Sequence, residues 1–167
     1  QSTPDGTMVM RIYEYDSQIA LKEGRIIGNV LEVNFPQSAI IYLRHNKNTP
    51  DSMVIRINTP GGTVSYDVPA LKVKRYSIQA IFEKKLLFLI PFYIFTYEEQ
   101  FPSMEKDIKK IGKIKEKYGY ILMKLNQMCE DGLLDEYTKR SICMMSEKVI
   151  EALTQKYTVI QKEVVRI

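Results

Sequence analysis

Residues 1–20, QSTPDGTMVMRIYEYDSQIA, govern how the rest of the chain is read. The run opens with polar residues in the manner of a strand end, then turns at Pro4-Asp5-Gly6. An amphipathic helix follows. Asp5 is placed to cap it, because a carboxylate there accepts from the free amides of the first turn. Val9, Ile12, Ile19 and Ala20 recur at helical spacing and predict the buried face. Arg11 and Tyr15 are four apart, so they stand one turn above each other on a single face. Such a pair beside a polar strand end can grip a phosphate, and it can equally be a solvated helix face.

Outward from that helix, Lys22-Glu23-Gly24 stops the pattern and Arg25 to Asn29 reads as a polar connection. Ser38 to Leu43 is a nearly continuous apolar run, which predicts a strand buried on both faces of a helix-covered sheet. Arg44-His45-Asn46-Lys47-Asn48 follows at its exit, where open α/β sheets place functional loops. Ser52 to Asn58 alternates, Pro60-Gly61-Gly62 turns, and Thr63 to Asp67 returns as a second strand. No Gly-Lys-Ser/Thr follows those glycines, so they mark a β-hairpin and not a phosphate loop. Val68-Pro69 is expected to break the return strand. Ser77 is expected to cap a helix running through Ile78, Ile81, Phe82 and Leu86 towards Pro91 and tucked against the sheet.

Leu86 to Tyr97 is the most apolar stretch. It is too short to span a bilayer, contains Pro91, and is bracketed by Lys84-Lys85 and Glu98-Glu99, so it reads as buried core with no membrane role. From Ser103 the texture changes. Met104, Ile108, Ile111, Tyr118, Leu122, Leu125 and Cys129 form one helical stripe. Tyr137, Ile142, Met145, Val149, Leu153, Tyr157, Ile160 and Val164 form another. Gly132 stops the first helix and Asp135 caps the second, which predicts an antiparallel helical hairpin able to pair with a second copy of the chain. The lysines crowding residues 106–117 fit a solvated face, or a contact to a nucleic-acid backbone.

The net charge of +4 leans only weakly towards anionic partners. Cys129 and Cys143 lack metal-ligand spacing and a disulfide framework, as in a reducing cytoplasm. His45 is the one histidine and has no neighbouring nucleophile in the sequence. No Walker loop, dinucleotide fingerprint or strand-borne carboxylate pair is present, so these residues compose no complete active site.

The run Gln1 to Met8 with Arg11 and Tyr15 resembles the Rpn family of recombination-promoting nucleases, also described as PD-(D/E)XK nuclease family transposases. Phe35 to Asn46, and Phe82 to Leu86 through Ile90-Pro91-Phe92, look like later segments of the same family. The resemblance implies an α/β (mixed α+β) chain. Residues 1–102 would form a partial restriction-endonuclease-like core with a β-hairpin insertion, and 103–167 a C-terminal antiparallel helical hairpin. Gln1 matches the last position of the family's Glu-x-Gln motif, a catalytic position. The Asp and Glu that hold Mg²⁺ would precede residue 1, so the chain is expected to be a fragment that binds no metal and is inactive as it stands. The implied partner is DNA, contacted by Arg11 and Tyr15 and, less directly, by Arg44 and His45. The competing expectation is a non-catalytic interaction or dimerisation module, sensitive to charges placed at Leu125 or Leu153.

Overall fold

A computed structural model describes residues 7–164, which form two compact units dividing between Lys72 and Val73. The texture change expected to open a second domain at residue 103 falls inside a short helix of the second unit. Asp5 lies outside the described residues.

The first unit opens with helix α1 (Thr7–Lys22). Met8, Val9 and Ile12 of α1 pack against a core of Ile40, Tyr42, Ile55 and Val68. Continuing that stripe by steps of four reaches Asp16 and then Ala20, both buried, whereas Ile19 is half exposed. The buried face therefore runs through a carboxylate, which a reading of apolar residues alone passes over.

Residues Arg25 to Asn29 are not a plain connection. Strands β1 (Arg25–Ile27) and β2 (Val30–Glu32) form an antiparallel ribbon, with Ile26 opposite Leu31 and Ile27 opposite Val30. Gly28, at φ +60°, makes the tight turn, a conformation that a side chain would disfavour. Every residue of both strands is exposed.

The main sheet has the order β3-β5-β4, where β3 is Ile40–Tyr42, β4 is Ser52–Thr59 and β5 is Gly62–Lys72. The expected hairpin is β4–β5, in register from Ser52 opposite Pro69 to Thr59 opposite Gly62. The run expected to be buried on both faces is shorter than Ser38 to Leu43, and β3 lies at the edge, parallel to β5. Its burial alternates, with Ile40 and Tyr42 buried and Ile41 only partly so. Val68-Pro69 does not break β5. Pro69 is the last residue paired with β4, and Ala70 is the first paired with β3. The missing amide thus falls where the strand changes partners, a position that tolerates proline.

In the second unit, a 3₁₀ turn (Val73–Arg75) leads to α2 (Ile78–Glu83). Ser77 caps α2 as expected, its Oγ accepting from the Ala80 amide at 3.1 Å. The helix does not reach Pro91. It ends in a six-to-one, five-to-two motif: the Leu86 amide donates to the Ile81 carbonyl at 2.8 Å and the Lys85 amide to the Phe82 carbonyl at 3.1 Å. Lys85 sits at φ +56°, in the left-handed position that usually takes glycine. Leu87–Thr96 then forms a 3₁₀ segment containing Pro91, whose absent amide opposes an α-helix there. Leu89, Ile90, Ile94 and Phe95 bury it in the core of this unit, and α5 (Glu136–Thr154) packs on it closely.

The short helix α3 (Phe101–Met104) precedes α4 (Ile108–Glu130), which Asp107 caps through the Lys109 amide. The α4–α5 connection follows expectation. The Leu133 amide reaches the Met128 carbonyl at 2.8 Å and the Gly132 amide the Cys129 carbonyl at 3.0 Å, with Gly132 at φ +69°. Asp135 then caps α5 by accepting from the Thr138 amide at 2.8 Å. The second stripe is broken at residues 155–157 and resumes as α6 (Thr158–Val164), which touches both α4 and α5.

The buried positions of α5 are Ile142, Ser146, Ile150 and Thr154. The two hydroxyls bond back to the Ile142 and Ile150 carbonyls at 2.8 and 2.7 Å, so neither is buried unsatisfied. Tyr137 and Met145, expected in this stripe, face outwards. In the first stripe Ile108 is exposed as well, and Ile114 and Ile121 take the buried positions beside Ile111, Tyr118 and Leu125. Among the described residues, no helix is long and apolar enough to cross a membrane.

Candidate functional site: a buried carboxylate beside an aromatic cluster

Gln1, the expected catalytic position, lies outside the described residues. Arg11 and Tyr15 stand exposed on successive turns of α1, as their spacing requires. They occupy the side of the helix away from the Ile12–Asp16–Ala20 stripe. Arg44 is exposed and His45 half buried, in the loop that leaves β3.

That loop has a structural task of its own. Lys72, the last residue of β5, is only 2% exposed. Its ammonium donates to the Thr49 carbonyl at 2.5 Å and to Asp51 Oδ1 at 2.7 Å. The loop is shaped to deliver those acceptors. The Asn48 amide donates to Asn46 Oδ1 at 2.8 Å, and the Asn46 amide to Thr49 Oγ1 at 3.1 Å. A buried cation is tolerated only when paired and hydrogen-bonded, which is the condition met here.

The structure brings together a different polar set on α1. Asp16, 2% exposed, accepts from Ser38 Oγ at 2.5 Å through Oδ1. Among the described residues its Oδ2 has no hydrogen-bond partner, and neither does the buried hydroxyl of Tyr66 on β5. Burial raises the Tyr66 phenol above its ordinary pKa, and the neighbouring charge of Asp16, then Tyr13, adds to the rise. Aromatic rings adjoin the pair. Tyr13 stacks on Phe35 with centroids 6.0 Å apart, and Phe35 meets Tyr66 at 6.1 Å. Phe35, Gln37, Ser38, Tyr66 and Asp67 border an open pocket of about 500 Å³.

Sequence reasoning missed Asp16. The signal was its spacing, four from both Ile12 and Ala20, which places it on the buried stripe despite its charge.

The donors do not suit Mg²⁺. Among the described residues no group of three or more His, Cys, Asp or Glu side chains could hold a metal ion. Asp16 is the one buried carboxylate among them, and a hydroxyl already takes one of its oxygens. Mg²⁺ demands near-octahedral oxygen ligation, for which one half-engaged carboxylate is inadequate.

The fold defines a mixed α/β chain with small sheets, in two compact units. No protein-family model, no curated protein and no solved structure matches it.

Proposed function

We propose that this chain is the backbone-contacting portion of a metal-dependent DNA endonuclease built on a restriction-endonuclease-like core, in the manner of the Rpn nucleases it resembles. The observation that carries the reading is the exposed Arg11–Tyr15 pair within the stretch of closest resemblance. Arg11 supplies a guanidinium fork for phosphate oxygens, and the Tyr15 hydroxyl donates from one turn further along the same face. Arg44 adds a second exposed cation. His45 is half buried in the same loop and is the weaker candidate. The role proposed for these residues is binding and orientation. Phosphodiester hydrolysis in such a nuclease needs Mg²⁺ held by carboxylates.

The test is DNA affinity as a function of salt. A chain that neutralises phosphates releases counterions, so its affinity falls steeply as salt rises. Arg11→Ala weakens binding across all sequences and flattens the dependence.

One set of observations favours a second reading, an interaction or dimerisation module. Ile26, Ile27, Val30 and Leu31 are all more than half exposed on the β1–β2 ribbon. On α5, Tyr137 is 81% exposed, with Met144 and Met145 about half exposed beside Arg140 and Lys148. Contiguous exposed apolar side chains of this kind mark contact surfaces. Leu125 is fully buried, so a charge there probes the core and not an interface. Tyr137→Asp and Met145→Asp are the informative variants, read by sedimentation.

A further inference from the structure

Helix α4 carries six lysines and two glutamates, so its excess of four positive charges equals that of the whole chain and the remainder is balanced. Those charges gather along one side. Lys110, Lys113, Lys117, Tyr120 and Lys124 follow one another in steps of three and four. A cation or a tyrosine therefore stands at each turn, over about 21 Å at 1.5 Å per residue. Lys115, on another side of the helix, pairs with Glu163. Among the described residues Lys110, Lys113, Lys117 and Lys124 have no ion pair, and Glu116 is paired with none of them. Like charges at this spacing destabilise a helix, which an anionic partner would reverse.

The row ends in a pocket of about 390 Å³ between α4 and α2. Tyr120 and Lys124, the last two members of the row, line it together with Phe82 of α2. The two rings are only partly buried and meet edge to face, with centroids 6.2 Å apart and planes at 86°. That arrangement leaves a ring face open to a third flat ring. The pocket's own charge is balanced, Lys85 and Lys124 against Glu83 and Asp131, and Gln79 and Gln127 add amides that both donate and accept. Lys85 is held at φ +56°, so the chain carries a cation at the pocket's border where glycine would be more stable.

A ligand matched to this side of the second unit brings negative charges repeated along a line and an uncharged flat ring beside them. Nucleic acid has both, in its phosphates and its bases. In a duplex the bases are paired and stacked on one another, whereas those of a single strand are free to stack on aromatic side chains. We propose that α4 and the adjoining pocket bind single-stranded nucleic acid, its phosphates along Lys110, Lys113 and Lys117 and one unstacked base against Phe82 and Tyr120. The site uses none of the residues of the Arg11–Tyr15 face and lies in the other compact unit, so it stands or falls separately from that reading.

The test is fluorescence anisotropy on the whole chain with labelled probes: a DNA single strand of about a dozen nucleotides, an abasic strand of the same length, and a duplex of the same sequence. The single strand should bind more tightly than either, with an affinity that falls as salt rises. Lys110→Gln combined with Lys113→Gln, at two exposed positions, should make log affinity against log salt shallower by about 1.4, two phosphate contacts being lost. Tyr120→Ala should weaken the single strand about tenfold, the loss of one stacking contact, and leave the abasic strand unchanged. Lys85→Gly should weaken the strand although it relaxes the backbone, a combination that loss of stability does not produce. Four results overturn the proposal: no binding of the single strand at low salt, equal binding of the abasic strand, tighter binding of the duplex, or a salt slope unaltered by the paired lysine substitutions. Single-strand affinity that is lost in Arg11→Ala and kept in the lysine variant assigns the strand to α1 and overturns it as well. The abasic comparison and the lysine variant decide the matter even where Tyr120→Ala does not fold.

Discussion

The carboxylate of Glu105 reaches across 54 residues of chain to cap α6, accepting from the Val159 amide at 3.0 Å. It also accepts from the Ile160 amide and from Thr158 Oγ1, each at 3.3 Å. A short helix of seven residues cannot sustain itself by propensity. Its end is secured instead by a side chain from the segment leading into α4, and the Lys115–Glu163 ion pair ties its other end to α4.

Those bonds hold the Glu105 carboxyl below its ordinary range, chiefly through the Val159 amide, which outweighs desolvation, with the Ile160 and Thr158 donors lowering it further. A depressed folded pKa means that the stabilisation is complete above the unfolded value and is lost as pH falls through the folded one. Thermal melts should therefore show α6 loosening on acidification below the carboxylate range. Glu105→Ala should lower the melting temperature at neutral pH and remove that part of the acid dependence. Glu105→Gln, which keeps an acceptor but no charge, should fall between. A melting profile unchanged by either substitution would contradict the cap.

Two helix ends share one motif with different residues. Lys85 and Gly132 occupy the same left-handed position, at φ +56° and +69°. A side chain there costs on the order of 1 kcal/mol. Lys85→Gly should thus stabilise the chain by about 0.5–1 kcal/mol, and Gly132→Ala should destabilise it by about 1 kcal/mol, in denaturant titrations. Opposite signs at the two sites are the expected signature.

Lys72 supplies a test of the β3–β4 loop. Asp51→Ala removes the carboxylate acceptor of its buried ammonium, and should cost about 1.5–3 kcal/mol, the range for hydrogen bonds to charged groups. Lys72→Met, which removes the charge and keeps the length, should cost less than Lys72→Ala, which also leaves a cavity. Urea midpoints decide the order.

The pattern of successes in the sequence reading is local. Ser77, Gly132 and Asp135 were legible because capping and left-handed turns depend on a few consecutive residues. The β4–β5 hairpin was legible from alternation around Pro60-Gly61-Gly62. The failures depend on partners distant in sequence. Pro69 is harmless only because β5 exchanges β4 for β3 there, which alternation cannot disclose. Asp16, Ser146 and Thr154 lie on buried faces that an apolar count skips; Ser38, far along the chain, donates to Asp16, while the two hydroxyls are satisfied within their own helix. Nothing adjacent to Lys72 marks it for burial, because the acceptors that bury it come from a loop more than twenty residues earlier. Of the expected site residues, Arg11 and Tyr15 stand together as their spacing demanded. Spacing could not show that the loop of Arg44 and His45 is committed to Lys72.

The central claim, that the α1 face of Arg11 and Tyr15 contacts a nucleic-acid backbone, is tested most directly by fluorescence anisotropy with a labelled DNA duplex across a salt series. Arg11→Ala is measured beside the parent chain. The account predicts sequence-tolerant binding that weakens steeply with salt, and a variant whose log-affinity slope against log salt is shallower by about one. Binding absent even at low salt, or affinity and slope both unaltered by Arg11→Ala, would contradict it and leave the exposed apolar faces of β1–β2 and α5 as the surfaces to pursue.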